Sequence, residues 1–283
     1  MEIRKVGVIG CGLMGGGIAQ TCAQSGYQTI VREVNQPLLE KGLSRIYSAW
    51  DKMEGKKKIT SQQAVEYRQN LQGTIGLTDL ADCDLIIEAV IENMEEKLRL
   101  YPALDHLLKP EALLLSNTSS LNITQMGAVT KRPDKIAGLH FFNPAPVMQL
   151  VEIVRTISTS EETIETVQHF AQTLGKTSVL AKDTAGFIVN FLLIPYLISA
   201  IRMLENGMAT RDDIDTAMKL GCGYPMGPFT LLDYVGLDTT LWAAEAIYNE
   251  YKDPLYAPPP LLRRMVQSGQ YGKKSGKGFY TYE

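Results

Sequence analysis

Short β-branched apolar runs alternate with stretches of helical spacing along the chain as far as Lys182. Ile3 to Ile9 and Gln28-Thr29-Ile30-Val31 read as strands, as do the segments 84–89, 112–116, 136–140, 147–154 and 178–180, with a shorter one at Thr74 to Thr78. Between the second and third runs, Leu38, Leu39, Leu43, Ile46 and Trp50, then Ala64, Val65 and Tyr67, recur at helical spacing. They predict a helical hairpin over 36–71, with its turn at 54–61 and Thr60 or Ser61 capping the second helix. Further helices are predicted from the region 93–97, over 123–129 and over 161–174. Strands alternating with helices imply a doubly wound, largely parallel α/β sheet whose ligands sit beyond the carboxyl ends of the strands.

The pattern changes after Lys182-Asp183-Thr184-Ala185-Gly186. From there it is helical throughout: an apolar helix from Phe187 to Glu205 with Pro195 inside it, a Thr210-capped helix to Leu220, and more helix from Leu231 to Tyr251. A proline-rich loop at 254–260 and a glycine- and lysine-rich tail at 271–280 follow. The expected domains are therefore residues 1–184, binding a nucleotide, and an all-helical 185–283. A helix apolar on so much of its circumference must be covered, either by a homodimer partner through the second domain, which is the expectation, or by its own domain.

The first strand empties into Gly10-Cys11-Gly12-Leu13-Met14-Gly15, the G-x-G-x-x-G spacing of a dinucleotide turn. Gly10 suits the tight turn, Gly12 the approach of backbone N–H groups to a pyrophosphate, and Gly15 close packing of helix on strand, while Leu13 and Met14 open the helix and are expected to bind the cofactor with the glycines. About twenty residues on, after the second strand, Glu33 is placed to bind adenosine ribose hydroxyls and to repel a 2′-phosphate, favouring NAD. Arg32 beside it could instead receive that phosphate, so NADP stays open.

Composition narrows the field. The 283 residues carry a net charge of −3 and 45% hydrophobic side chains, which gives no footprint for nucleic acid or an anionic membrane. Cys11, Cys22, Cys83 and Cys222 lack C-x-x-C spacing, so neither a disulfide framework nor a zinc or other metal site is expected. No apolar stretch suits a signal peptide or a membrane span, and the cytoplasm is the expected compartment. Lys56, Lys57 and Lys58, at the hairpin tip, are either a solvated face or a clamp for a phosphorylated handle such as coenzyme A.

Of the three histidines, His106 and His169 fall in helical patterns, whereas His140 ends a strand at the ligand edge. Removing a hydride from an alcohol carbon needs a base for the hydroxyl proton, and imidazole suits the task in both directions. Its carboxylate partner would be Glu152, in the apolar strand Leu150-Val151-Glu152-Ile153-Val154, unless Glu152 faces outward from an edge strand.

The glycine turn, Glu88-Ala89-Val90-Ile91-Glu92-Asn93, Ser116-Asn117-Thr118-Ser119-Ser120, His140-Phe141-Phe142-Asn143-Pro144 and Asp212-Asp213-Ile214-Asp215-Thr216-Ala217-Met218 together resemble the L-3-hydroxyacyl-CoA dehydrogenase family over essentially the whole chain. The resemblance implies a Rossmann-type domain followed by a helical domain. It implies reversible oxidation of a short-chain (3S)-3-hydroxyacyl-CoA, such as 3-hydroxybutyryl-CoA, with NAD. In that reading His140 and Glu152 are the catalytic pair, and Ser119 and Asn190 hold the substrate oxygen in an interdomain cleft. Glu33, Glu92, Lys97, Ser119, Asn143 and Lys274 line the cofactor site, and the region 56–58 meets coenzyme A. The chain departs from the family pattern at Glu33, where aspartate is commonest, at Ala185 in place of a proline, and at Phe191 after Asn190. A dehydrogenase of a free hydroxy acid such as L-gulonate, an NADP-linked reductase and a non-enzymatic NAD-binding protein are the alternatives.

Overall fold

The apolar runs pair into one eight-stranded sheet, seen in a computed structural model that describes residues 2–282. In chain order the strands are β1 (Lys5–Ile9), β2 (Gln28–Arg32), β3 (Leu71–Thr74), β4 (Leu85–Glu88), β5 (Leu113–Ser116), β6 (Ile136–Phe141), β7 (Leu150–Arg155) and β8 (Thr177–Lys182). In space they run β3-β2-β1-β4-β5-β6-β7-β8. The chain winds outward from β1 to β3, then returns to place β4 on the other side of β1, so a switch point lies between β1 and β4. β1 to β6 are parallel, β7 runs antiparallel to β6, and β8 is parallel to β7. The third strand lies earlier than Thr74 to Thr78: Leu71 to Thr74 pair with Thr29 to Arg32, and the Thr74 hydroxyl then turns the chain by donating to Asp79.

Among the described residues, six helices flank this sheet: α1 (Leu13–Gln24), α2 (Gln36–Gly55), α3 (Ser61–Gln69), α4 (Met94–Leu107), α5 (Ile123–Ala128) and α6 (Glu161–Thr173). Their starts follow local chemistry. Asn35 and Asn93 accept from the amides of Leu38 and Glu96, and Thr60 closes a reciprocal capping box with Gln63. Val6, Val8, Ile87, Leu115, Leu139 and Ile153 are wholly buried along the strands, each contributing about 1.5–3 kcal/mol.

The chain divides between Asp183 and Thr184 into two compact units. The second unit is built from α7 (Val189–Glu205), α8 (Arg211–Cys222), α9 (Pro228–Val235), α10 (Leu237–Tyr251) and α11 (Pro260–Gln267). α7 buries Ile194, Leu197, Ile198 and Ile201 in a core shared with Phe229, Leu232, Ala244 and Ile247. The helix predicted over 231–251 is two helices, broken at Gly236. α11 grows out of the proline-rich segment, whose Pro260 takes the first helical position, where a missing N–H costs nothing. Among the described residues, no helix is long and apolar enough to cross a membrane.

Candidate active site

At the switch point the backbone itself makes a binding surface. Gly10 has φ +97°, and a Cβ there would lie 2.5 Å from the Ala89 carbonyl oxygen; at Gly15 it would lie 1.9 Å from that of Gly10. Gly12 caps α1 without a side-chain acceptor, no acidic residue stands in the first turn, and a Cβ on Gly12 would meet nothing within 4 Å. The first turn of α1 thus has no side-chain acceptor and leaves room beside Gly12, the arrangement that receives a pyrophosphate. Exposed Leu13 and half-buried Met14 follow. Glu33 folds onto this turn, its Oε2 accepting from Cys11 N and its Oε1 from Val34 N, both at 2.8 Å. Each carboxylate oxygen keeps a lone pair for a hydroxyl. Arg32 instead donates through Nε to the Ile75 carbonyl at 3.3 Å. Burial, reinforced by the charge of Glu33, pushes the Cys11 thiol up to about 11. Arg45, which holds the Cys11 carbonyl at 2.8 Å, was not foreseen, because its place on α2 reads as a solvated face.

Along the sheet, β6 and β7 set His140 opposite Glu152 in antiparallel register. Such partners stand close enough for their side chains to meet. His140 Nδ1 lies 2.7 Å from Glu152 Oε2, with the side chains 8% and 0% exposed. A carboxylate at Nδ1 selects the tautomer that donates there and makes Nε2 the basic nitrogen. The Phe142 ring, 4.6 Å from the imidazole, walls one side.

Ser119 sits between these features, on the loop that leaves β5. Its amide donates to Glu92 Oε1 at 3.0 Å, and two residues before it Asn117 Oδ1 accepts from Phe141 N at 2.9 Å, next to His140. Lys97 is enclosed rather than lining an open face: its Nζ lies 2.6 Å from Glu88 and 3.4 Å from Glu92. Asn143 is exposed on the loop after β6. The carboxyl edge of the sheet thus gathers the glycine turn, Glu33, Glu92, Lys97, Ser119, His140, Asn143 and Glu152. Lys56, Lys57 and Lys58 are exposed at the turn between α2 and α3, where a hollow of about 370 Å³ is lined by Lys57, Lys58, Thr60 and Gln63 among others. Asn190 and Lys274 belong to the second unit, Asn190 half-buried in the first turn of α7 and Lys274 paired with Asp238 at 2.6 Å. No cluster of three potential metal ligands occurs among the described residues.

Known proteins give this arrangement a context. A family model described as 3-hydroxyacyl-CoA dehydrogenase, NAD binding domain, matches residues 5–184, and one described as 3-hydroxyacyl-CoA dehydrogenase, C-terminal domain, matches residues 186–282. A 3-hydroxybutyryl-CoA dehydrogenase of Mycobacterium tuberculosis is 47% identical over 282 residues, spanning 99% of each chain. The crystal structure of FadB2 from M. tuberculosis matches with a TM-score of 0.98 at 46% identity, covering 100% of both chains. That of the (S)-3-hydroxybutyryl-CoA dehydrogenase PaaH1 from Ralstonia eutropha matches at 0.95 and 39%, again over 100% of both.

Proposed function

The chain belongs to the 3-hydroxyacyl-CoA dehydrogenase family, and from that membership we propose that it interconverts a short-chain (3S)-3-hydroxyacyl-CoA, such as 3-hydroxybutyryl-CoA, and the 3-oxoacyl-CoA. The observation that carries this reading is the 2.7 Å His140–Glu152 pair at the sheet edge that also bears the glycine turn. The cofactor of the family's first domain is NAD, and the uncapped start of α1 with the Glu33 carboxylate suits it. Gly10, Gly12, Gly15 and Glu33 would hold it, and when bound it supplies the acceptor for the hydride lost by C3. His140 takes the hydroxyl proton at Nε2, and Glu152, buried against Nδ1, stabilises the imidazolium that results.

Ser119 holds the reacting oxygen where negative charge develops, and the family resemblance gives Asn190 a matching role; one such donor is worth about 2.7–4 kcal/mol. The Lys56 to Lys58 tip grips the phosphates of coenzyme A as point charges. Replacing all three lysines by alanine is expected to raise KM for an acyl-CoA, more so at low salt, and an unchanged KM would assign them to solvent. Leu192, Met208, Leu220 and Trp242 are more than half exposed on the helical unit, which supports a homodimer of twice 31.3 kDa, measurable by sedimentation equilibrium.

The decisive experiment follows NADH absorbance on adding acetoacetyl-CoA, with free acetoacetate and NADPH as parallel arms. Oxidation of NADH by the thioester alone is expected. Equal rates with the free acid would transfer the reading to a hydroxy-acid dehydrogenase, and preference for NADPH would give Arg32 the role denied it here.

A further inference from the structure

A buried chain of charge runs beneath the Ser119 loop, and the reaction just described leaves its root unused. Glu88, the last residue of β4, is 1% exposed and receives three donors: Lys97 Nζ at 2.6 Å and Val90 N at 2.9 Å on Oε1, and Ser116 Oγ at 2.7 Å on Oε2. Lys97 Nζ, as deeply buried, lies 3.4 Å from Glu92 Oε2. Glu92 Oε1 in turn accepts from Thr118 Oγ1 at 2.5 Å, Ser119 N at 3.0 Å and Ser120 Oγ at 3.4 Å. One ammonium is shared by two carboxylates, tightly by Glu88 and loosely by Glu92. The loose contact leaves Glu92 turned toward the loop amide. A buried ion pair seldom stabilises a fold more than apolar packing of the same size. Here it fixes the loop at both ends, through Ser116 and through Glu92, while Asn117 between them ties the loop to β6.

We propose that Glu88 is a positioning residue for the reaction, acting through Lys97 and Ser116 to set the loop that carries Ser119 against the strand that carries His140. The proposal rests on the role given to Ser119 above. Glu88→Gln keeps the size of the side chain, and the Ser116 hydroxyl can turn to accept from the new amide. Lys97 is then drawn to Glu92 and pulls it off the Ser119 amide. The double variant Glu88→Gln/Lys97→Met, which leaves no unpaired buried ammonium, serves if the single variant folds poorly.

Hydrogen exchange across 117–121 is expected to speed up about tenfold or more, with α2 and α3 unchanged. The kcat for acetoacetyl-CoA should fall about 10–100-fold, the scale of a misplaced contact, at nearly constant KM. Unaltered exchange in the loop overturns the proposal whatever the activity. So does faster loop exchange with full kcat, provided Ser119→Ala is impaired. Full activity in Ser119→Ala, with faster loop exchange in the Glu88 variant, removes Ser119 from the reaction but leaves Glu88 as the brace of its loop.

Discussion

The two ends of the sheet hold the same kinds of side chain and use them differently. At the amino-terminal end, Arg132 donates through Nε to Asp105 at 2.6 Å and through its two Nη atoms to the carbonyls of Lys109, Ala112, Asp105 and Leu108 at 2.6–3.3 Å. Asp84 accepts from the amides of Arg4 and Lys5 at 2.8 Å and pairs with Lys109. These groups are saturated by their own chain and close the segment between α4 and β5 onto the entry to β6. At the carboxyl-terminal end, Glu33 and Glu92 also hold backbone amides, but α1 starts uncapped beside them and Glu92 keeps a side-chain exposure of 31%. Charge pairing alone therefore does not mark a site. Polar groups that retain bonding capacity toward open space do.

If that distinction is right, the two ends fail in opposite ways. The largest effect expected is in His140→Gln, which should lower kcat by about 10²–10⁴-fold, the usual worth of a positioned base. NADH affinity, read by fluorescence titration, should stay within about twofold, because the glycine turn makes no use of the imidazole. Next comes Arg132→Met, which leaves Asp105 and several carbonyls stranded. It should cost about 3–5 kcal/mol in urea unfolding of the first unit, while kcat per folded molecule holds. Loss of activity in step with stability for His140→Gln, or a catalytic defect specific to Arg132→Met, would erase the contrast.

The two ends also differed in how far the sequence announced them. The glycine turn is a backbone device spaced within six residues, so it can be read locally, and the structure shows Gly10 and Gly15 in tight backbone contact, with Glu33 folded onto the turn. The His140–Glu152 pair lies twelve residues apart on strands whose direction the pattern does not give; only the antiparallel turn between β6 and β7 makes the two residues opposite. Arg132 was invisible, since Thr130-Lys131-Arg132-Pro133 reads as an ordinary polar turn and its five acceptors are gathered from 105–112. Lys97 illustrates the reverse: resemblance gives it to the cofactor, while its ammonium is enclosed by Glu88 and Glu92. Pairing of strands and burial of charge are tertiary facts, and periodicity carries neither.

A smaller effect isolates the backbone device. In Gly15→Ala the added carbon must displace the Gly10 carbonyl, 1.9 Å away, and such overpacking costs about 1–3 kcal/mol. The measurable outcome is weaker NADH binding by about 5–150-fold. Combined with His140→Gln, the losses should add, because the two residues share no partner.

The smallest effect concerns acid stability and belongs to the amino-terminal end. Burial alone would raise the pKa of Asp84, but Lys109 and the Arg4 and Lys5 amides outweigh it and hold the carboxyl below its ordinary value of 3.8. Asp105 behaves alike, with burial outweighed by the Arg132 hydrogen bond and the Lys131 amide. A carboxyl whose folded pKa is depressed contributes stability that is complete above the unfolded value and is lost as pH falls through the folded one. Melting temperature should therefore be flat near neutrality and decline as the pH drops below about 4. Asp84→Asn should lower the neutral plateau by a few degrees and flatten that decline, since the amide has no charge to lose. His140→Gln should leave the acid limb of the wild type intact. An acid limb equally steep in Asp84→Asn would locate the acid-sensitive groups elsewhere, and would take from the amino-terminal end the structural role that separates it from the edge that carries His140 and Glu152.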